Sequence, residues 1–426
     1  QVVTNRGAVS NWLQFVGEMA KERADQVTRK GAGLRILTDT VTSPSFIAQM
    51  ERLLAQLPGA KWIQYDPIAA ARNSQAGPAQ NAIYNFDAAD VIVSLDSDFL
   101  GSGPGSVRYS KDFARRRRVL EGQQTMNRLY AAEPVLSITG SMADHRLPLK
   151  ASQVESLARS LAQAVGAAGG NAEASGGLGG DEASKKWLAA AAGDLQEHKG
   201  RGVVVAGEWQ PPAVHAVAQA INQALGNVGT TVHYAAPQHA GLSPMQSLRE
   251  LVGEMNAGQV DLLIILGGNP VYDSPADLGF ADAMSKVRLR VRLGLYNDET
   301  SFQCHWQIPQ AHYLESWGDV RAYDGTIGII QPLISPLYGG RTAIELIAVL
   351  AGDPDRSAHD LVREYWRSQH RQGDFDTFWR RSLHNGFIPN TGAKAGVRAV
   401  SADAKATALQ APVAAGTRDS QAAGLE

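Results

Sequence analysis

Apolar residues in this chain gather in short continuous runs rather than in strict alternation. Leu34–Thr38, Ala88–Leu95, Gly202–Gly207, Leu262–Leu266 and Val287–Tyr296 are such runs. Bounded by turn residues, they have the pattern of strands buried on both faces of a parallel sheet. Ala60–Tyr65 and Pro134–Thr139 read as further strands. Between them lie stretches of helical spacing: Asn11–Arg29, Ser43 to about Leu57, Ser152–Val165 with Leu157, Leu161 and Val165 on one face, Asp181–Glu197, and Ala213–Leu225. Ser43-Pro44 pairs a capping side chain with proline at the first helical position. Gly226-Asn227-Val228-Gly229 is a glycine-rich helix stop. Strands alternating with helices predict an α/β fold with mainly parallel sheets.

The segment from Asp261 to Gly340 writes one βαβ unit without a break. The Leu262–Leu266 strand runs into Gly267-Gly268-Asn269-Pro270, where two residues without side chains allow positive φ and a close approach to the backbone. Ser274-Pro275 then predicts a helix through about Lys286. The Val287–Tyr296 strand follows, and Asn297-Asp298-Glu299-Thr300 supplies capping residues for a second helix start. Ligands of open α/β sheets collect at the carboxyl ends of such strands. The glycine turn therefore has two possible roles: its amides converge as a phosphate site, or it only packs strand against helix.

Composition narrows the setting. At 426 residues the chain is long enough for two or three lobes. A net charge of −2 gives no basic field for nucleic acid, and no apolar run approaches the roughly 20 residues that span a bilayer. The first residue is Gln1 and no leader pattern follows it, as expected of a processed precursor or a fragment. Cys304 is the single cysteine, so these residues hold neither a disulfide framework nor a cysteine-ligated cluster.

Other chemistry is thinly marked. Gly101–Ser106 departs from a dinucleotide loop at Ser106 and at Pro104. Arg115 to Arg118 point around all sides of a helix, since successive residues turn by about 100°, which fits a solvated or partner-facing surface. Asp96, Asp98, Asp298, Glu299 and Glu315 read mainly as capping acids. The ten histidines show no metal-ligand spacing. Cys304 beside His305 reads as a small core residue.

Longer motifs carry a resemblance. Ile264 to Pro270, Asp298-Glu299-Thr300, Trp306-Gln307-Ile308-Pro309, Glu315-Ser316-Trp317-Gly318-Asp319 and Asp324-Gly325-Thr326 resemble the molybdopterin oxidoreductase superfamily. Asp98 to Gly101, Ser106 to Ser110, Ala143 to Leu149, Gln210 to Ala216 and Ile221 to Gly229 are similar to one branch of it, the large iron–sulfur subunit of bacterial alternative complex III. The resemblance covers roughly Leu34 to Gly386 and implies two Rossmann-like αβα lobes, as in the central domains of those enzymes. One lobe would be discontinuous, 34–58 plus 201–386. The other would span 59–200 with a flexible 166–180 excursion, between a lead-in helix and linker at 1–33 and a linker or disordered tail at 387–426.

By the same resemblance, Gly267, Gly268, Asn269, Ser274, Glu299 and Thr300 form a vestigial nucleotide site. No cofactor is expected in the chain, and iron–sulfur clusters are expected only outside it. Its partners would be cytochrome c and quinol-binding subunits of a membrane-bound respiratory complex on the periplasmic side. The alternative is a fragment of a catalytic relative, of the polysulfide, thiosulfate or tetrathionate reductase kind, that binds molybdopterin guanine dinucleotide.

Overall fold

A computed structural model describes residues 2–68, 81–119, 125–168, 182–235 and 244–392. Most of the 166–180 stretch and nearly all of the 387–426 tail lie outside the described residues. The chain folds as two compact units, residues 1–74 with 238–392 and residues 75–237 with 393–426.

The first unit is built on a sheet of five parallel strands, in the order Trp306–Pro309, Leu289–Gly294, Leu262–Leu266, Leu34–Thr38 and Lys61–Gln64. An antiparallel hairpin, Thr4–Asn5 with Ala8–Val9, extends its first edge. Numbered along the chain, the parallel strands run 2-1-3-4-5, a doubly wound order that reverses between Leu34–Thr38 and Leu262–Leu266. Alternate residues of each strand feed two cores. Ile36, Ile264, Val291 and Ile308 pack with Phe15, Met19, Met50 and Leu53, while Leu37, Leu263 and Ile265 pack with Leu248, Leu251, Phe280 and Met284. Burial of each such side chain is worth about 1.5–3 kcal/mol, which holds the strand ends in fixed register.

The helix Trp12–Thr28 starts where the Asn11 side chain accepts from the Gln14 amide at 3.0 Å. It is not a lead-in: Phe15 and Met19 are fully buried, and Phe15 meets Trp306 edge-on at 5.4 Å. In place of the single helix expected after Ser274 there is a helical turn before it, Pro270–Asp273, and two short pieces after it, a 3-10 turn Ala276–Leu278 and Phe280–Ser285. Left-handed Gly279, at φ 60°, separates the last two. Phe387–Ile388, expected to begin the tail, pairs with Ile327–Ile330 as the edge of a three-stranded antiparallel sheet.

The second unit has four parallel strands in the order His145–Pro148, Arg128–Glu133, Val91–Leu95 and Gly202–Ala206. This is the 3-2-1-4 order of half a Rossmann fold. Its core joins Val91, Val93 and Val204 to helices Val154–Ala164, Glu182–Glu197 and Pro212–Ala224. Strand pairing corrects the expected lobe boundaries. Gly202–Ala206 pairs with Val91–Leu95, so residues 201–237 belong to this unit rather than to the first. Lys61–Gln64 pairs with Leu34–Thr38 and stays in the first unit. The strand expected at Pro134–Thr139 lies upstream at Arg128–Glu133, because Pro134 has no N–H to give a ladder. Ile138–Ser141 is a helical turn capped by Ser137, whose hydroxyl accepts from Gly140 N at 2.9 Å.

Three arginines of the run are met by acids of the same unit: Arg115 pairs with Asp87 and Asp112, Arg116 with Asp90, and Arg117 with Asp144. Throughout, the architecture is α/β with mainly parallel sheets.

Candidate functional site

The first unit's strand order reverses at Thr38 and Leu266, and the crevice beyond those two ends is where a doubly wound sheet binds its ligand. Gly267 and Gly268 lie there, both left-handed at φ 78° and 65°. What approaches them is not open space. A Cβ built on either glycine would lie 2.7 Å from an Asp39 carboxylate oxygen. Asp39 follows the neighbouring strand, and its carboxylate lies against the Gly268 amide. Burial raises the Asp39 pKa above the ordinary carboxylate value, helped by Asp273 and Asp66 and opposed by that amide and by Arg292.

Arg292 closes the turn from the other side. It is 3% exposed, in a strand that otherwise feeds the core. Its two terminal nitrogens donate to the carbonyls of Gly267 and Gly268, and one also reaches Asp298 at 2.7 Å. Asp298 in turn caps Glu299–Phe302 by accepting from Ser301 N at 2.9 Å. Burial alone pushes the Asp298 carboxyl up, but the Arg292 and Ser301 bonds outweigh it and hold the carboxyl below its usual range.

Of the six residues expected at the site, five come together here. Asn269 donates to Glu299 at 2.7 Å and accepts from the Thr300 hydroxyl at 2.7 Å and the Thr300 amide at 3.2 Å. Thr300 Oγ1 accepts from Val271 N at 3.1 Å. Those groups tie the end of one strand to the end of the next. Ser274 is not among them: it ends the Pro270–Asp273 turn instead of opening a helix.

Set against known proteins, this fold has clear relatives. No family model matches the chain. The molybdopterin-binding-like subunit of menaquinone reductase from Nitratidesulfovibrio vulgaris is 23% identical over 323 residues, 67% of this chain and 46% of that protein. The chain thus spans about half the length of this curated relative. Acetylene hydratase from Pelobacter acetylenicus shares the fold with a TM-score of 0.59 at 12% identity, over 83% of this chain and 61% of that one. A formyltransferase/hydrolase complex from Methylorubrum extorquens does so with a TM-score of 0.51 at 12% identity, over 85% and 99%. The chain is molybdopterin oxidoreductase-like.

For a molybdopterin oxidoreductase-like chain the question at this crevice is whether a dinucleotide phosphate fits. At the Gly267–Gly268 turn it does not. The Gly268 amide already faces a carboxylate, and a phosphate laid there would meet a like charge within contact distance. The turn's carbonyls are held by Arg292, so that cation is also committed. Among the described residues, no three His, Cys, Asp or Glu side chains are grouped to ligate a metal.

Asp39 and Arg292 were not legible as site residues. A loop aspartate after a strand has no distinctive pattern. Arg292 left only a trace, as one of two arginines, with Arg290, that interrupt the Leu289–Gly294 run.

Proposed function

We propose that this chain is the cofactor-free, molybdopterin-oxidoreductase-like portion of a subunit in a quinone-linked respiratory complex of the alternative complex III type. In this role it is a scaffold. Iron–sulfur clusters, a cytochrome c subunit and a quinol-binding membrane subunit belong to the rest of the assembly, on the periplasmic face. The observation that carries the proposal is Asp39 seated on the Gly268 amide at the topological switch point, where a cofactor phosphate would otherwise lie. The menaquinone reductase subunit among its relatives supports a quinone-linked setting. No helix among the described residues is long and apolar enough to cross a membrane, which fits docking onto membrane partners.

The test is a pterin and molybdenum assay on the native assembly, with binding of inorganic pyrophosphate measured on the purified chain. Neither pterin nor molybdenum should accompany the chain, and pyrophosphate should bind only after Asp39→Ser frees the amide. One pterin dinucleotide per wild-type chain would overturn the proposal in favour of a catalytic relative. Co-purification with a c-type cytochrome checks the respiratory setting, and isolation of the chain without any redox partner would sink that part.

A further inference from the structure

The second chemically loaded place lies at the opposite end of the same sheet, among the strand starts. A cleft of about 680 Å³ is lined there by Arg6, Arg290, His305, Asp282, Ser285 and Phe302, with Cys304 beside them. It is about as large as a small-molecule site. Its cations are placed deliberately. Arg290 Nε donates to Gln303 O at 2.8 Å, and Nη1 donates to Val287 O at 2.8 Å and Ser285 O at 2.9 Å. Carbonyls from two stretches of the chain therefore fix one guanidinium whose remaining nitrogen, Nη2, faces His305 Nε2 at 3.4 Å.

The tautomer of His305 follows from its other nitrogen. Nδ1 accepts from the Arg290 amide at 3.0 Å, so a neutral ring carries its proton on Nε2. The ring is neutral because burial and the charges of Arg290, Arg6 and Arg288 push its pKa down to about 4. Arg290 Nη2 and His305 Nε2 thus meet as two donors, and two donors cannot bond each other. They converge on a position that an acceptor would complete.

Arg6 adds the second cation. It occupies the tip of the Thr4–Val9 hairpin with φ 50°, ahead of Gly7 at φ 79°. Such a turn favours Asn-Gly, and arginine there sits in a strained backbone conformation. The hairpin is tied down over the cleft by Arg6 N donating to His305 O at 2.6 Å. Among the described residues neither Arg6 nor Arg290 forms an ion pair, whereas nearby Arg288 is neutralised by both oxygens of Glu22 at 2.9 and 2.5 Å. The contrast separates an arginine used for folding from two left with uncompensated charge. Phe302, 77% exposed, gives the cleft an apolar wall.

We propose that this cleft is an oxyanion-binding site for a small phosphate- or carboxylate-bearing ligand, held by Arg6, Arg290 Nη2 and His305 Nε2–H. Arg290 cannot be removed cleanly, since its other donors hold the backbone. Arg6 can, because among the described residues its side chain makes no hydrogen bond or ion pair, and glutamine at the same φ costs no more. Calorimetry on the full chain, at constant ionic strength, is run with inorganic phosphate in one arm and succinate in the other.

Binding in either arm is expected, and the arm that binds identifies the headgroup. Arg6→Gln should weaken it about tenfold or more, the effect of losing one charge-assisted hydrogen bond. In ring-labelled histidine NMR, the bound anion should raise the His305 titration midpoint in wild type and not in Arg6→Gln. Silence in both arms, or binding that Arg6→Gln leaves unchanged, overturns the proposal.

Discussion

Arg292 is the most exacting place to test how the crevice is built. Replacing it with leucine removes the donor to three buried acceptors: Gly267 O, Gly268 O and the Asp298 carboxylate. The Arg292 and Asp298 side chains are 3% and 16% exposed, so the pair is desolvated and solvent does not replace the lost partner. Stranding one member of a buried pair costs about 3–5 kcal/mol, and each orphaned carbonyl costs about 1–3 kcal/mol if counted alone. These groups share one network, so the sum is sub-additive and a total of about 4–6 kcal/mol is expected.

For a unit of this size each kcal/mol moves the melting temperature by roughly 2–4 °C. Arg292→Leu should therefore lower the first unit's transition by roughly 8–24 °C. Arg292→Lys keeps a charge for Asp298 but cannot fork over two carbonyls, and should lose about half as much. Adding Asp298→Asn to Arg292→Leu removes the stranded charge and should return about 1–2 kcal/mol. Scanning calorimetry of the full chain measures the transitions. Hydrogen exchange in Leu262–Leu293 assigns the one that moves. A loss below about 1 kcal/mol for Arg292→Leu, or a double variant no more stable than the single, would refute the claim that this guanidinium organises the turn.

Two further outcomes follow from buried carboxylates. Asp319 accepts from the hydroxyls of Ser43 and Ser45 at 2.5 and 2.8 Å, from Ser45 N at 3.2 Å and from Trp366 Nε1 at 2.8 Å. Asp319→Ala should cost about 3 kcal/mol in urea denaturation, and less than about 1 kcal/mol would contradict its role as the buried cap of Pro44–Gln56. Burial raises the Asp319 pKa, so its contribution is fullest below the ordinary aspartate value of 3.8 and declines as pH rises through the folded value. The stability gap between wild type and Asp319→Ala should accordingly narrow from pH 3 to pH 7. Asp298, Asp144, Asp194 and Glu254 behave oppositely. Burial alone would raise them, but basic partners and hydrogen bonds hold all four below their ordinary values. Their stabilisation is present above about pH 4 and lost as pH falls through the lowered values. The urea midpoint of a variant lacking all four partner arginines, Arg292, Arg117, Arg128 and Arg35, should therefore depend less on pH below 4 than wild type; equal slopes would be inconsistent with these pairs.

Much of the architecture was written locally. Leu262–Leu266 and Val91–Leu95 could be placed as strands because five-residue runs that are apolar but for Ser94 have few other homes. Ser43-Pro44 and Asp298 marked helix starts because a cap needs only its own next three residues. The glycine turn was found for the same reason: positive φ at Gly267 and Gly268 is a local demand.

What the sequence did not contain was the order in which strands pair. Gly202–Ala206 looks the same whether it joins one sheet or the other, and only its hydrogen bonds to Val91–Leu95 assign it. The character of the crevice depended on that order. Residues 39, 267 and 292 are far apart along the chain, and adjacency of the Leu34–Thr38, Leu262–Leu266 and Leu289–Gly294 strands brings Asp39 onto the Gly268 amide and Arg292 onto the carbonyls. Sequence determined that the turn exists and is glycine; tertiary structure decided that its donors and acceptors are met by the protein's own charges, because electrostatic partners are chosen by distance in space.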